Sequence, residues 1–424
     1  MTVAAYPKYE SYRDSGVEWL GDIPASWETK RTKHIWCETT DISADGSEQL
    51  LSVSQKNGII PRTEQSRSED LTGYRIVRSG ELVSNIMLAW MGALGVSRHD
   101  GIVSPAYSVY RLQIGADEGF LDYLYRTDAY LAEFARRSSG VVPSRWRLYT
   151  EDFGEVLTLL PPLSEQRAIA AFLDEKCGKI DEAVRIKEAQ IALLRERRQI
   201  LIQQAVTRGL NPDAPMKDSG IDWIGQIPAH WEVRRNFSLF REIKVSGDVN
   251  LPVLSVSIHS GVSKEELSDE ENIRSIVKIE DRASYKEVLP GDVAYNMMRA
   301  WQGGIGAVHV RGMVSPAYVV ARPTVDVLSD YFELLYRTPA FIRQMDAGSK
   351  GITDFRKRLY WDDFRGLSTI VPPRVEQGEI VRHAGKITEK VGGAISIKEE
   401  QIAALKEYKA SLIDAAVTGK IKIA

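Results

Sequence analysis

Residues 161–208 read PPLSEQRAIAAFLDEKCGKIDEAVRIKEAQIALLRERRQILIQQAVTR, and this stretch decides the fold. Its apolar residues recur in alternating steps of four and three, which is the spacing of a coiled-coil helix. A related stretch, PPRVEQGEIVRHAGKITEKVGGAISIKEEQIAALKEYKASLIDAAVTG, occupies residues 372–419. Neither helix is apolar on all sides, so we expect the two to pair. The predicted seam residues are Ile180, Val184, Ile191, Leu194, Leu201, Val391, Ile395, Ile402, Leu405 and Leu412.

The segments that precede the two helices are also copies of each other. SGVEWLGDIPASWE starts at residue 15 and returns, 204 positions on, as SGIDWIGQIPAHWE from residue 219. RWRLYTEDF starts at residue 145 and returns, 211 positions on, as RKRLYWDDF from residue 356. The second copy therefore carries extra residues between 258 and 289, which predicts a surface loop there. A period of this size that occurs twice indicates tandem duplication of a domain.

Each copy mixes strand and helix patterns. GELVSNIML at 80–88 follows a glycine turn and is largely apolar from Leu82 onward, which predicts a buried strand. FLDYLYRTDAYLAEFARR at 120–137 has helical spacing. The predicted fold class is α/β (α+β): two tandem-duplicated mixed α/β domains, separated by two long antiparallel helices that form a pseudo-twofold coiled coil. The predicted boundaries are 1–160 for the first domain, 161–210 for the central helix, 211–371 for the second domain and 372–424 for the distal helix.

Composition excludes several classes of protein. Cys37 and Cys177 are the only two cysteines of the 424 residues, which excludes a disulfide scaffold and fits a reducing, cytoplasmic location. The first residues lack the apolar region of an export signal. The longest charge-free run, from Leu82 to Ser97, is short for a membrane span. The formal net charge of −3 is unfavourable for binding nucleic acid, so DNA binding would need a local basic surface or a partner.

Motifs for catalysis or metal binding are missing from the sequence. The six histidines form no HExxH pair, and there is no GxxxxGK[ST] phosphate loop. SPAY at 104–107 and 315–318 resembles the tetrapeptide with which amino-methyltransferases hold a target amine, but alanine replaces its second proline. No glycine motif for S-adenosylmethionine precedes it, and we interpret it as a strand-and-turn element. The prediction is a non-enzyme with no metal site and no cofactor of its own.

The best binding signal is a pair of arginine-containing segments, GVVPSRWRLY at 140–149 and GITDFRKRLY at 351–360. They share glycine and two arginines around an insert that differs between the copies. Arginine can pair with guanine edges or with phosphates. The alternative is that these arginines form salt bridges with the acidic pairs at 151–152 and 362–363. The predicted DNA-binding residues are Arg136, Arg137, Val142, Ser144, Arg145, Arg147, Arg343, Lys350, Thr353, Phe355, Arg356 and Arg358. Trp90 and Trp301 are interpreted as core residues.

The motifs together resemble the specificity subunit of type I DNA restriction–modification systems. They are SG(V/I)(E/D)W(L/I)G-x-IP-x-(S/H)WE at the start of each copy, RLY-x-(E/D)DF, and (L/V)PP-x-x-EQ before each long helix. The resemblance implies that the domains at 1–160 and 211–371 are target recognition domains. Each would read one part of a bipartite, asymmetric site in double-stranded DNA, and the helix pair would set the spacer between the two parts.

The resemblance also implies partners. In that family the subunit is not catalytic and recruits two modification subunits, which bind S-adenosylmethionine and methylate adenine N6. Restriction subunits then join, and ATP and Mg are expected on the partner subunits only. The sequence leaves two alternatives open, a self-contained DNA adenine methyltransferase and a coiled-coil scaffold that does not bind DNA.

Overall fold

A computed structural model of the chain describes residues 6–55, 58–62, 71–142, 145–248, 250–265, 284–351 and 356–423. Three of the candidate DNA-binding residues, Ser144, Thr353 and Phe355, lie outside this described part. The predicted surface loop of the second copy also falls largely outside it, since residues 266–283 are not described.

The first copy contains twelve described strands and three short helices before its long helix. The strands are β1 (Tyr12–Asp14), β2 (Asp22–Pro24), β3 (Glu28–Arg31), β4 (Trp36–Thr39), β5 (Leu51–Ser54), β6 (Gly58–Pro61), β7 (Arg75–Val77), β8 (Leu82–Asn85), β9 (Leu94–Val96), β10 (Gly101–Val103), β11 (Tyr107–Leu112) and β12 (Leu157–Leu160). The helices are α1 (Glu118–Tyr125), α2 (Asp128–Arg137), α3 (Thr150–Gly154) and the long α4 (Leu163–Arg208).

The second copy repeats this order element by element. Its strands are β13 (Met216–Asp218), β14 (Gln226–Pro228), β15 (Glu232–Arg235), β16 (Phe240–Ile243), β17 (Val256–Ser257), β18 (Gly261–Val262), β19 (Lys286–Val288), β20 (Val293–Asn296), β21 (Ile305–Ala307), β22 (Gly312–Val314), β23 (Tyr318–Pro323) and β24 (Ser368–Val371). Its helices are α5 (Ser329–Tyr336), α6 (Pro339–Gly348), α7 (Trp361–Gly366) and the long α8 (Arg374–Val417).

Sheet pairing confirms the duplication. The central sheet of the first copy has four antiparallel strands in the order β4-β11-β8-β9, and that of the second copy has the order β16-β23-β20-β21. Two-stranded pairs surround each sheet in matching positions; β3 pairs with β12 in the first copy and β15 with β24 in the second. The predicted mixed α/β class with two long helices is therefore confirmed.

Two local predictions differ from the structure. The segment 120–137 forms two helices, since the backbone of Thr127 is extended (φ −74°, ψ 152°) between them. The side chain of Thr127 donates to the carbonyl of Leu124 (2.8 Å) where the first helix ends. The apolar segment 80–88 is a strand only as far as Asn85, whose side chain accepts a hydrogen bond from the backbone of Met87 (3.2 Å). This local bond turns the chain out of the sheet, and Met87 and Leu88 are exposed.

The described chain divides into two compact units, Met1–Glu188 with Glu399–Ala424, and Ala189–Lys398. Each unit therefore contains one globular copy together with part of both long helices. In the first unit, the Lys409 ammonium lies 2.7 Å from both carboxylate oxygens of Asp181, and Lys187 donates to the Gln401 amide oxygen at 2.6 Å. The partner numbers fall along α8 as they rise along α4, so the two helices run antiparallel in this unit.

The second unit contains the matching helix contact. Lys398 donates to the amide oxygen of Gln190 at 2.7 Å, which repeats the lysine–glutamine pairing with the two helices exchanged. The structure places the predicted seam residues on shielded faces. Those that are buried are Ile180, Val184, Ile191, Val391, Ile395, Ile402 and Leu412, while Leu194, Leu201 and Leu405 are half-buried. Lys187 and Lys398 thus bind glutamines of the opposite helix, which favours a role for these two lysines in setting the register.

A cluster that we name the helix-start clamp explains the tryptophan and PP-x-x-EQ motifs. In the first unit, Glu165 in the first turn of α4 accepts a hydrogen bond from the indole of Trp27 (3.2 Å). The next residue, Gln166, accepts from the backbone of Asp117 (2.8 Å) and donates to the carbonyl of Pro161 (2.7 Å). The motif residues therefore fix the start of the long helix onto the globular part of the unit.

The second unit has the same clamp. Glu376 accepts from the indole of Trp231 (3.0 Å), and Gln377 accepts from the backbone of Leu328 (2.8 Å). Trp231 is fully buried, and truncation of a buried tryptophan typically costs about 3–5 kcal/mol. The glutamates differ in a further partner, since the Tyr9 hydroxyl donates to Glu165 whereas the ring of His230 lies 2.8 Å from Glu376.

The end of the opposite long helix completes each clamp. Gly419 follows α8 in the first unit, and an added Cβ there would lie 2.4 Å from Pro24 and 3.3 Å from Trp27. Gly209 follows α4 in the second unit, where a Cβ would lie 2.9 Å from Glu376 and 3.3 Å from Trp231. Both glycines have positive φ, +75° in each case, as helix-ending glycines commonly do. A side chain at either position would push the tryptophan and the helix end apart.

Candidate nucleic-acid interface

The two arginine segments form the same closed loop, which we name the arginine loop (residues 139–148 and 350–359). In the first copy the backbones of Ser139 and Arg147 exchange two hydrogen bonds, of 3.0 and 2.9 Å. Lys350 and Arg358 exchange the same two bonds in the second copy, at 2.9 and 2.8 Å. Each loop is therefore closed at its base by backbone hydrogen bonds, and this closure does not depend on which side chains the insert carries.

The shared glycine at the start of each loop has a steric reason. Gly140 has φ +156° and Gly351 has φ +142°, which other residues rarely adopt. A Cβ added to Gly140 would lie 2.5 Å from the carbonyl oxygen of Arg145, and one added to Gly351 would lie 2.6 Å from that of Arg356. Only glycine allows the two sides of the loop to approach so closely.

A second contact fixes each loop against the chain that follows the central strand of the sheet. The backbone N–H of Leu148 donates to the carbonyl of Ile86 (2.8 Å), and that of Leu359 donates to the carbonyl of Met297 (2.9 Å). Both leucines are buried, so the loops are anchored in the core as well as at the base. This anchoring places the arginine loop beside the turn that precedes β9 in one copy and β21 in the other.

Tryptophan joins the loop to that turn in both copies, with different partners. The rings of Trp90 and Trp146 meet edge to face, with centroids 5.2 Å apart. In the second copy Lys357 occupies the position of Trp146, and its ammonium lies 5.0 Å from the centroid of Trp301 and 2.6 Å from a carboxylate oxygen of Asp346. Trp90 and Trp301 are both half-buried, so each of these two rings packs on its domain and also contacts the arginine loop.

The two arginines of the first loop differ in exposure. Arg145 is exposed and Arg147 is half-buried. Among the described residues, no ion pair joins either of them to Glu151 or Asp152, which was the alternative interpretation of their position. Val142, at the start of the insert, is also exposed.

The second loop has a different set of contacts. Lys350 lies 2.8 Å from Asp363, and this hydrogen bond raises the pKa of the lysine. Arg358 donates to the carbonyl of Lys357 at 3.0 Å, and Arg356 is exposed. Arg343, on α6, is exposed as well. The second loop therefore presents cations on the same frame, with one lysine held by an internal carboxylate.

Arg136 and Arg137 share a buried partner that sequence analysis missed. The Glu133 carboxylate accepts two hydrogen bonds from Arg136 (2.6 and 2.8 Å) and one from Arg137 (2.6 Å). Burial raises the pKa of Glu133, but the bonds from the two arginines outweigh it, and the pKa lies below its usual value of 4.5. The spacing of three and four residues on one helix was the available signal. Contact of these two arginines with DNA stays a prediction.

The SPAY tetrapeptides and the possible metal and membrane sites can also be compared with the structure. SPAY forms the turn that leads into β11 and β23, where the backbones of Tyr107 and Tyr318 donate to the carbonyls of Ser104 and Ser315 (3.0 and 2.9 Å). Within the described ranges, no three His, Cys, Asp or Glu side chains come close enough together to hold a metal ion. None of the helices in the described part of the chain combines the length and the apolar character needed to cross a bilayer.

Comparison with known proteins found a curated relative and several solved structures. No protein-family model matches the chain. The chain is 23% identical over 286 residues to the specificity subunit of the type I restriction enzyme EcoKI from Escherichia coli (strain K12). This match covers 63% of the chain and 58% of that relative, so the chain matches less than two thirds of the relative's length.

The solved structures cover almost the whole chain. A chain from a structure concerned with complex assembly and conformational transition of the type I R-M system has a TM-score of 0.64 and 17% identity, and the match covers 93% of this chain and 98% of that one. The HsdS subunit from Thermoanaerobacter tengcongensis has a TM-score of 0.51 and 18% identity, with 94% and 98% covered. The chain therefore has the fold of these proteins, and its resemblance to type I restriction–modification specificity subunits is confirmed.

Proposed function

We propose that this chain is the DNA-recognition subunit of a type I restriction–modification complex. Each globular copy reads one half of a bipartite, asymmetric site in double-stranded DNA. The observation that carries this proposal is the arginine loop, which has the same backbone closure in both copies but a different insert in each. An asymmetric site requires two recognition domains that share a backbone and differ in the side chains that contact bases. Arginine is the residue most often used to read guanine.

The proposal includes protein partners that supply the chemistry. Two modification subunits bind S-adenosylmethionine and methylate adenine, and restriction subunits use ATP and Mg, while this chain binds none of these cofactors. Exposed apolar residues on α4 support such docking, since Leu193 and Ile200 lie one heptad apart and are 63% and 46% exposed. Apolar side chains at this spacing form a stripe along one face of a helix, which a partner can cover.

The experiment that tests the proposal is methylome sequencing of a host that carries the chain together with its modification subunits. We expect methylated adenine in one bipartite motif. Replacing residues 1–160 by those of a relative should change one half of the motif and leave the other half intact. A methylome that stays the same after this exchange would contradict the assignment, as would S-adenosylmethionine binding by the isolated chain.

We also propose that α4 and α8 set the spacer of the site. Their 46 and 44 residues correspond to about 69 and 66 Å at ~1.5 Å per residue. The helix contacts show how to shorten both at once, because residues 187–193 and 396–402 contain the partners Lys187 and Gln401 as well as Gln190 and Lys398. Deleting both heptads removes ~10.5 Å, or roughly three base pairs at ~3.4 Å each.

The paired deletion should shorten the unspecified spacer of the methylated motif by about three base pairs and keep both half-sites. Deleting residues 187–193 alone is the matched control. It moves α4 out of register with α8, and we expect it to abolish methylation. Loss of one half-site's identity in the paired variant, or an unchanged spacer, would refute the spacer role.

A further inference from the structure

The turn beside each arginine loop has a fixed backbone and different side chains in the two copies. We name it the hairpin tip, residues 86–92 after β8 and 297–303 after β20. Asn85 accepts a hydrogen bond from the backbone of Met87 (3.2 Å), and Asn296 accepts one from Met298 (2.9 Å). The chain then forms a single 3-10 turn, Ala89–Met91 or Ala300–Gln302.

The same contacts hold both tips. The indole of Trp90 donates to the carbonyl of Met87 (3.1 Å), and the indole of Trp301 donates to that of Met298 (3.0 Å). The alanine between these residues is fully buried in both copies, and the turn ends at a glycine with φ near +90°. The tip is therefore a rigid platform, and side chains on its outer face project from a defined position.

The outer faces differ in chemistry. The first tip exposes three large apolar side chains, those of Met87, Leu88 and Met91, which are 38%, 39% and 44% exposed. In the second tip Leu88 is replaced by exposed Arg299, and Met91 is replaced by Gln302. The Arg299 guanidinium donates to the amide oxygen of Gln302 at 2.8 Å, so the neighbour orients the arginine. The side chains of Met87, Leu88 and Arg299 are exposed, and burial in the core does not explain the difference between the two tips. Gln302 is half-buried, and Met91 also contacts the amide of Gln55 (3.7 Å).

We propose that the hairpin tip is a second base-reading element of each domain, and that it gives the two half-sites different preferences. This inference rests on the proposed function. Leu88 and Met91 contact the C5-methyl group of thymine in the major groove, since apolar side chains are the matching partners of that group. Arg299, oriented by Gln302, donates to the O6 and N7 acceptors of guanine.

Charge and position favour DNA over a protein partner as the ligand of the tip. A surface that docks the same protein on both copies would keep the same chemistry in both, whereas Leu88 is apolar and its counterpart Arg299 is charged. The tip also lies against the arginine loop, through the bond from Leu148 to Ile86 and the contact between Trp90 and Trp146. A cation on that loop would hold a phosphate while the tip reads a neighbouring base.

The test exchanges the two outer faces within the full chain. The variant Leu88→Arg/Met91→Gln gives the first tip the residues of the second, and Arg299→Leu/Gln302→Met does the reverse. Each is expressed with the modification subunits, and the methylated motif is sequenced. We expect one or two positions of the corresponding half-site to change, with thymine preference falling about tenfold in the first variant and guanine preference falling about tenfold in the second. The other half-site should stay the same.

The matched control is Arg311→Leu, which removes one exposed cation from the second domain. Arg311 pairs with Glu287 (2.7 Å) just before β22, beyond the end of β21 that is remote from the tip. This control should leave the motif unchanged. Arg299→Lys keeps the charge but loses the paired geometry, so it should lower guanine preference while the chain folds normally.

The outcomes separate the inference from the proposed function. If the unmodified complex methylates no bipartite motif, the proposed function fails. If it does, and folded tip variants methylate the same motif at the same rate, the tip does not read bases. If the variants fold, as measured by circular dichroism, but no longer bind the modification subunits, the tip is a protein-docking surface and the inference is also overturned.

Discussion

Gly419 offers a sharp test of the helix-start clamp. It has φ +75°, and an added Cβ would lie 2.4 Å from the Pro24 ring and 3.3 Å from Trp27. Gly16 in the same unit has φ +83°, but a Cβ there would meet no atom within 4 Å. Alanine at either position incurs the cost of left-handed backbone, and only Gly419→Ala also forces the clamp to move. The pair of variants therefore separates packing from backbone strain.

The expected magnitudes follow from these contacts. The left-handed conformation costs about 1–2 kcal/mol in both variants. Overpacking adds about 1–3 kcal/mol for Gly419→Ala, since the Pro24 ring cannot rotate away. A difference of ~2 kcal/mol between the variants corresponds to about 1 M in the urea midpoint, at a slope of ~2 kcal/mol per molar.

The assay monitors urea unfolding by hydrogen exchange of the backbone amides. Exchange protection is measured on β12 for the first unit and on β24 for the second unit. Gly419→Ala should lower the midpoint reported by β12 by about 1 M more than Gly16→Ala does. Gly209→Ala is the counterpart in the second unit, where the nearest atom is a carboxylate oxygen of Glu376 at 2.9 Å and not a ring atom at 2.4 Å, so its excess cost should be smaller. Equal midpoints for Gly419→Ala and Gly16→Ala would refute the packing of Gly419 in the clamp.

Three further predictions concern single side chains. Glu133→Gln should destabilise the first unit by about 1–3 kcal/mol at pH 7. Because the folded pKa of Glu133 lies below 4.5, its stabilisation is present above that pH and is lost as pH falls through the folded pKa, so urea midpoints of the variant and the parent should converge in acid. Cys37 is exposed and Cys177 is buried with a raised pKa, so mass spectrometry after thiol labelling should find Cys37 modified first; equal rates would contradict that burial. Asp181→Asn removes a solvent-exposed pair with Lys409 and should cost less than about 1 kcal/mol in urea unfolding, and a larger loss would contradict screening by solvent.

Much of the fold could be predicted because its signals are local or repeated. The span of each long helix follows from its apolar spacing and from the prolines before it, and the observed helices begin within two residues of the predicted starts. The duplication is visible as repeated words in the sequence. The break between α1 and α2 was missed, because helical spacing continues across Arg126 and Thr127 although the backbone does not.

Much less of the candidate site could be predicted. The arginines and their glycine were visible as a shared frame, and the structure shows that this frame is a closed loop. The exposed side chains of Met87, Leu88 and Met91 were missed, because an apolar run normally indicates a buried strand. One asparagine bond at the end of β8 reverses that expectation, and a pattern of apolar residues does not reveal it.

The sequence by itself determined the duplication, the two long helices and the motifs that resemble a known family, since these depend on the order and spacing of residues along the chain. Tertiary structure decided which of those residues meet. Glu165 binds Trp27, from which it is separated by 138 positions, and Gly419 closes over the same tryptophan from the far end of the chain. Such contacts arise from the burial of distant segments against each other, and the energy of each depends on a geometry that only the folded chain defines.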